Sequence, residues 1–191
     1  MKIIPTEIPD VLIIEPDIFG DERGYFFESW NKEKYNAAGI CCNFVQDNES
    51  MSRFGVLRGL HYQLAPYTQA KLIRVISGKV LDVALDIRRN SPTFGKHVCL
   101  ELSDKNKRQL FIPRGFAHGF ATLSDEVVFQ YKCDNIYAPT HERGIAFNDP
   151  ALGIDWQITP QKWILSAKDL KNPLFADAEL FDYNNPGEYL K

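Results

Sequence analysis

A chain of 191 residues with 45% hydrophobic and 13% aromatic side chains is long enough to bury a core and too apolar for disorder. Its net charge of -3 offers no basic field to nucleic acid. No window approaches the roughly 18 apolar residues of a membrane helix, and the opening Met1 to Glu7 lacks an apolar run of signal-peptide length, so the expected location is the cytoplasm.

No repeat, low-complexity tract or linker divides the sequence, and one domain over 1–191 is expected. The first helical signal is Ser29 to Ala38, stopped by Gly39. Cys41 and Cys42 are adjacent and poorly placed to bond each other. With Cys99 and Cys133 they fit neither a zinc ribbon nor a C-x-x-C pair, and buried free thiols are expected.

Gly55 to Gln63 reads as a strand. Simple alternation places Leu57, His61 and Gln63 on one face and Arg58, Leu60 and Tyr62 on the other. Lys71, Ile73 and Val75 also align, which points Lys71 towards an apolar interior. After a turn at Gly78, Leu81, Val83, Leu85 and Ile87 form an apolar face opposite Asp82, Asp86 and Arg88. In Gly115 to Leu123 the aligned residues are Phe116, His118 and Phe120. Val127, Phe129, Tyr131 and Cys133 share the inward face of the next strand. Near the C-terminus, Ser166 to Asp169 has the S-x-x-D form of a capping box. Many short strands and few helices predict an all-β sandwich or jelly roll, a barrel that can hold a ligand in its mouth.

Several side chains can carry chemistry there. His61 has a ring suited to proton abstraction near neutrality, with an ordinary pKa of about 6.5. It stands three residues from Arg58 and two from Gly59, and the second inward histidine is His118. Tyr131 is a candidate acid, or else a core tyrosine. Lys71 is a candidate oxyanion partner, or else a snorkelling lysine. Asp169 can orient a histidine or merely cap a helix. Arg23 and Arg58 can grip phosphate bidentately or pair with surface carboxylates. A metal site is disfavoured. His61-Tyr62-Gln63 lacks the second histidine of an H-x-H pair, and His97 and His141 lie in polar, turn-like surroundings.

The runs Asp21-Glu-Arg-Gly-Tyr-Phe-Phe-Glu28, Gln46-Asp-Asn48, Gly55-Val-Leu-Arg-Gly-Leu-His-Tyr-Gln63 and Ser91-Pro-Thr-Phe-Gly95 occur in order along the chain. They are followed by Ile112-Pro-Arg-Gly-Phe-Ala-His-Gly-Phe120, Gly144-Ile-Ala-Phe-Asn-Asp-Pro150 and Leu165-Ser-Ala-Lys-Asp169. In these motifs, which span almost the whole chain, the sequence closely resembles the dTDP-4-dehydrorhamnose 3,5-epimerase family. The resemblance implies a cupin-type jelly-roll barrel with a few short peripheral helices, working without metal or other cofactor, as a homodimer. It implies a dTDP-4-dehydro-6-deoxy-D-glucose substrate and a dTDP-4-dehydro-L-rhamnose product, one step of dTDP-L-rhamnose synthesis for bacterial surface polysaccharide.

Position by position, the resemblance makes His61 the general base, Tyr131 the general acid, Asp169 the partner of the base and Lys71 the cation near the C4 carbonyl. His118 shares the pocket. Arg23, Glu28, Gln46, Asn48 and Arg58 match nucleotide or phosphate contacts, and Glu142 and Lys168 match further binding positions. Some members carry arginine at the position of Lys168, and lysine cannot offer the same fork. The alternatives are an epimerase inverting C3 or C5 alone, a noncatalytic sugar-nucleotide binding module, and a metal-dependent cupin enzyme.

Overall fold

Alternation of apolar and polar residues organises most of the chain into strands. The structure is a computed structural model that describes residues 1–190. In chain order the elements are β1 (Lys2–Pro5), β2 (Leu12–Glu15), β3 (Phe19–Asp21), β4 (Gly24–Phe26), α1 (Lys32–Ala37), β5 (Gln46–Arg53), β6 (Leu57–Gln63) and β7 (Lys71–Ser77). Then come β8 (Lys79–Asp86), β9 (Arg88–Arg89), β10 (His97–Ser103), β11 (Gln109–Ile112), β12 (Phe116–Thr122), β13 (Glu126–Cys133), β14 (Glu142–Gly144) and β15 (Phe181–Asp182). Two main sheets result, ordered β1-β2-β11-β7-β13-β5 and β10-β8-β12-β6-β14, with two-stranded pairs β3-β4 and β9-β15 beside them. All pairings within the two main sheets are antiparallel. The expected all-β jelly roll is therefore present, with one short α-helix among the described residues.

The central core is filled from both sheets. Ile73, Val75 and Phe129 from the six-stranded sheet join Val80, Ala84 and Phe120 from the five-stranded one. Fully burying a valine, isoleucine or phenylalanine side chain contributes about 1.5–3 kcal/mol. A second cluster lies on the other face of the five-stranded sheet. There Leu81, Val83 and Leu85 pack against Phe147, Leu152, Trp156 and Phe181 of the C-terminal segment. Both faces of β8 are thus covered, and Asp82 and Asp86 are fully buried. The two faces that alternation separates are both buried, and the one that carries Asp82 looks into the barrel. A third cluster seats Tyr35 of α1 against Leu72 and Phe111 on the far side of the six-stranded sheet.

Helix α1 begins later than Ser29 because Asn31 caps it, its Oδ1 accepting from the Lys34 amide at 3.1 Å. The cysteines depart from expectation too. Only Cys133 is buried, while Cys41 and Cys99 are exposed, the latter on the edge strand β10.

Strand β6 differs from its simple alternation in a way that shapes the site. On β12, His118 and Phe120 are two residues apart, yet they pair with His61 and Arg58, which are three apart. The extra residue is a β-bulge, and it turns Arg58 and His61 to the same side. Leu57, Leu60 and Tyr62 go together to the opposite cluster. Gly59, at φ +122°, makes room: a Cβ there would stand 2.5 Å from the Gly119 Cα.

Candidate active site

A cavity of about 430 Å³ opens between the two sheets. Arg58 and His61 of β6 and His118 of β12 reach it from the five-stranded sheet, Lys71 of β7 and Tyr131 of β13 from the six-stranded sheet. Ser166 and Asp169 close one side. They arrive on a segment held beside β6, where Ile164 donates its amide to Gly55 O at 2.8 Å and Leu57 donates to Ile164 O at 3.1 Å. A larger, more open groove of about 730 Å³ lies along Arg89, Phe181 and Glu188, and it contains none of the candidate residues.

His61 is half-buried, and its Nε2 lies 2.5 Å from Asp169 Oδ1. Asp169 is 3% exposed. Burial works to raise its carboxyl pKa, but hydrogen bonds from His61 and Ser166 outweigh that and hold it below the ordinary value. A carboxylate so placed fixes the orientation of the His61 ring.

His118 faces His61 across the β12–β6 ladder. Its Nε2 lies 3.0 Å and 3.2 Å from the two oxygens of Asp82. Burial pushes the His118 pKa down against the pull of Asp82, so the ring is neutral and Nε2–H donates to the carboxylate. Asp82 had no functional reading in the sequence.

The Lys71 side chain makes no hydrogen bond or ion pair among the described residues, and its Nζ is 5.8 Å from the Tyr131 ring centroid. Burial lowers its pKa, opposed by Cys133, Asp82 and Glu142. For Tyr131, burial pushes the phenol up to about 12, so its hydroxyl carries a proton at neutral pH. The cavity therefore sets His61 of one sheet, with the Asp169 carboxylate bonded to it, against a protonated phenol and the Lys71 amino group on the other sheet. That arrangement can remove a proton from one face of a small molecule, return one to the other face, and stabilise negative charge between them.

The binding candidates divide. Arg58 donates from Nε to Ser52 Oγ at 3.2 Å, which turns its guanidinium along the cavity rim. Gln46 and Asn48 bond each other at 2.9 Å on the same alternating face of β5 as Ser50 and Ser52. Ser50 lines the cavity, and both serines were legible as the continuation of the Gln46–Asn48 period. Glu142 of β14 pairs with Lys168 at 2.5 Å and accepts from the Tyr137 hydroxyl at 2.5 Å. Burial raises the Glu142 pKa, but these partners outweigh it and hold the group low.

Arg23 and Glu28 are not brought to the cavity of their own chain. Arg23 sits in the β3–β4 turn, paired with Asp21 at 2.5 Å, and Glu28 pairs with Lys34 at 2.9 Å. His141 packs on Tyr67, with ring centroids 4.6 Å apart, outside the cavity. Among the described residues no three His, Cys, Asp or Glu side chains converge as metal ligands.

Known proteins share this fold and these motifs. A family model described as dTDP-4-dehydrorhamnose 3,5-epimerase matches residues 5–177. The dTDP-4-dehydrorhamnose 3,5-epimerase of Shigella flexneri is 56% identical over 182 residues, covering 95% of this chain and 99% of the relative. A solved dTDP-6-deoxy-D-glucose-3,5-epimerase of Legionella pneumophila, in complex with dTDP-4-keto-L-rhamnose, superposes with a TM-score of 0.92. It is 50% identical, and the match covers 95% of this chain and 98% of that one. The 3'-monoepimerase ChmJ of Streptomyces bikiniensis, in complex with dTDP-quinovose, is 33% identical with a TM-score of 0.87, covering 94% and 93% of the two chains. With a cupin-type barrel, a matching family model and relatives of full length and high identity, the chain belongs to the dTDP-4-dehydrorhamnose 3,5-epimerase family.

Proposed function

We propose that this protein, as a single jelly-roll domain over 1–191, converts dTDP-4-dehydro-6-deoxy-D-glucose to dTDP-4-dehydro-L-rhamnose by inverting C3 and C5. The observation that carries the reading is the opposition of His61–Asp169 and Tyr131 across one cavity, from facing sheets. The C4 ketone acidifies the hydrogens on its neighbouring carbons. His61 removes one, assisted by Asp169. The C–H electron pair moves into the enolate, whose oxygen Lys71 stabilises with His118 beside it. Tyr131 then gives its hydroxyl proton to the opposite face, the enolate collapses to the ketone, and the centre is inverted. The second centre follows by the same exchange once solvent restores the two groups. No electrons leave the substrate, so the chemistry calls for no cofactor.

Arg58, with Gln46 and Asn48 on the adjoining strand, holds the nucleotide diphosphate in this reading. Glu142 and Lys168 bound the sugar end, and Arg23 and Glu28 are further nucleotide contacts. A homodimer accords with the exposed Phe19, Tyr25 and Phe26 of the β3–β4 hairpin, an apolar surface of the kind a subunit interface covers. No helix among the described residues is long and apolar enough to cross a membrane; a cytoplasmic location is part of the same proposal.

The test is incubation with the 4-keto sugar nucleotide in deuterated water, followed by NMR. Deuterium at both C3 and C5 with inversion at both is expected. A second reading, inversion at one centre, has the fold of ChmJ behind it. Label and inversion confined to one carbon would select that reading.

A further inference from the structure

The S-x-x-D box departs from an ordinary cap. In a capping box the acidic side chain returns to the backbone amide of the residue that caps it. Here the Ser166 hydroxyl donates to Asp169 Oδ2 at 2.7 Å while the Asp169 amide donates to Ser166 Oγ at 3.1 Å. The remaining oxygen, Oδ1, is the one that meets His61. Both carboxylate oxygens are therefore committed, in different directions, and rotation of the carboxylate breaks both contacts at once.

Backbone alone holds this carboxylate loosely. Asp169 opens a three-residue 3-10 turn, Asp169–Lys171, whose flanking residue Lys168 makes no capping bond from its side chain. The next residue, Leu170, is 66% exposed and contributes no core packing. A hydroxyl donating to Oδ2 removes the rotational freedom that the turn leaves.

We propose that Ser166 is a positioning residue for the proton-abstracting pair, its hydroxyl orienting the Asp169 carboxylate so that Oδ1 meets His61. The inference rests on the roles given above to His61 and Asp169. It predicts a loss in the chemical step and not in binding, because Arg58 and the β5 face, which hold the nucleotide in that reading, are on other elements, and Lys168 is held by its own pair with Glu142 of β14.

The experiment is steady-state kinetics of Ser166→Ala, Ser166→Thr, Asp169→Asn and His61→Ala with the 4-keto sugar nucleotide, alongside wash-in of solvent deuterium. Ser166→Ala is expected to lower kcat about tenfold, the scale of one hydrogen bond to a charged group, with KM within about twofold. Deuterium wash-in should slow in parallel, and Ser166→Thr, which keeps the donor, should restore both. Should Ser166→Ala not fold, Ser166→Cys, with similar volume and a weaker donor, is held to the same criteria.

Unchanged kcat and wash-in in the alanine variant, with Asp169→Asn and His61→Ala impaired, overturns the role of Ser166 alone. So does a loss that appears wholly in KM. Wild-type kinetics in Asp169→Asn and His61→Ala would instead remove the pair on which the inference rests.

Discussion

Tyr131 is placed to serve both the core and the proposed chemistry. Its ring packs beside Phe129, with centroids 6.0 Å apart, while its hydroxyl faces the cavity with a pKa pushed up to about 12. Tyr131→Phe removes only the oxygen, so the barrel should fold and bind dTDP as before. Net inversion should fall by at least about a hundredfold, the usual scale of general acid–base catalysis. Exchange of substrate hydrogen with deuterated water should persist, because His61 can remove and return a proton on its own face. Inversion at the parent rate would make Tyr131 a core aromatic and no more. Asp169 offers a separate test through acid stability. Its folded pKa lies below the unfolded value of about 3.9, so the unfolded chain binds more protons there. The resulting stabilisation is complete above that range and is lost as pH falls through the folded value. Asp169→Asn should flatten the decline in urea midpoint on acidification below about pH 5. An unchanged slope would show that other carboxylates govern the acid side.

Strand β6 marks the boundary between what alternation reveals and what it hides. On β7 and β13 the two-residue period runs true through the site, and Lys71 and Tyr131 reach the cavity as their neighbours predict. On β6 the same rule separates Arg58 from His61, and the bulge beside Gly59 reunites them. A bulge is a relation between two strands, so one strand read alone does not contain it. The burial of both faces of β8 is hidden for a related reason: what covers its apolar face is the C-terminal segment, far along the chain. Arg23 and Glu28 are legible as motif residues, yet their own cavity does not hold them, and no local pattern could indicate that. The bulge is also testable. Gly59→Ala would place a Cβ 2.8 Å from His118 O at a φ of +122°. A loss of at least about 2 kcal/mol in stability is expected from strain and crowding together. Activity should fall further than unfolding explains, since Arg58 and His61 depend on the bulge for their common direction. Full activity in the folded fraction would show that the pair tolerates another strand geometry.

Across the whole molecule, packing and chemistry share the C-terminal segment. It contains four 3-10 turns and one two-residue strand from residue 145 to 190, yet it supplies Phe147, Leu152, Trp156, Phe181 and Tyr189 to the cluster on the outer face of the five-stranded sheet. The same stretch of chain carries Ser166 and Asp169 to the cavity. Trp156 is 3% exposed and donates its indole N–H to Phe147 O at 2.8 Å. Trp156→Ala should cost about 3–5 kcal/mol, the range for removing a large buried aromatic. That loss should not spread evenly. The core between the sheets makes no use of Trp156, whereas the segment is tied to β6 by the Ile164–Gly55 and Leu57–Ile164 bonds. Hydrogen exchange should therefore quicken at the Ile164 and Leu57 amides before it does at the central amides of β13. Each opening of the segment withdraws Asp169 from His61 while leaving Arg58, Lys71 and Tyr131 on the barrel. The variant should accordingly retain nucleotide binding and lose turnover in proportion to the open population, with activity recovering on cooling as the segment closes. Uniform loss of protection across β13 and the segment would mean that barrel and segment unfold as one unit, and that the carboxylate is as firmly held as the strands it faces.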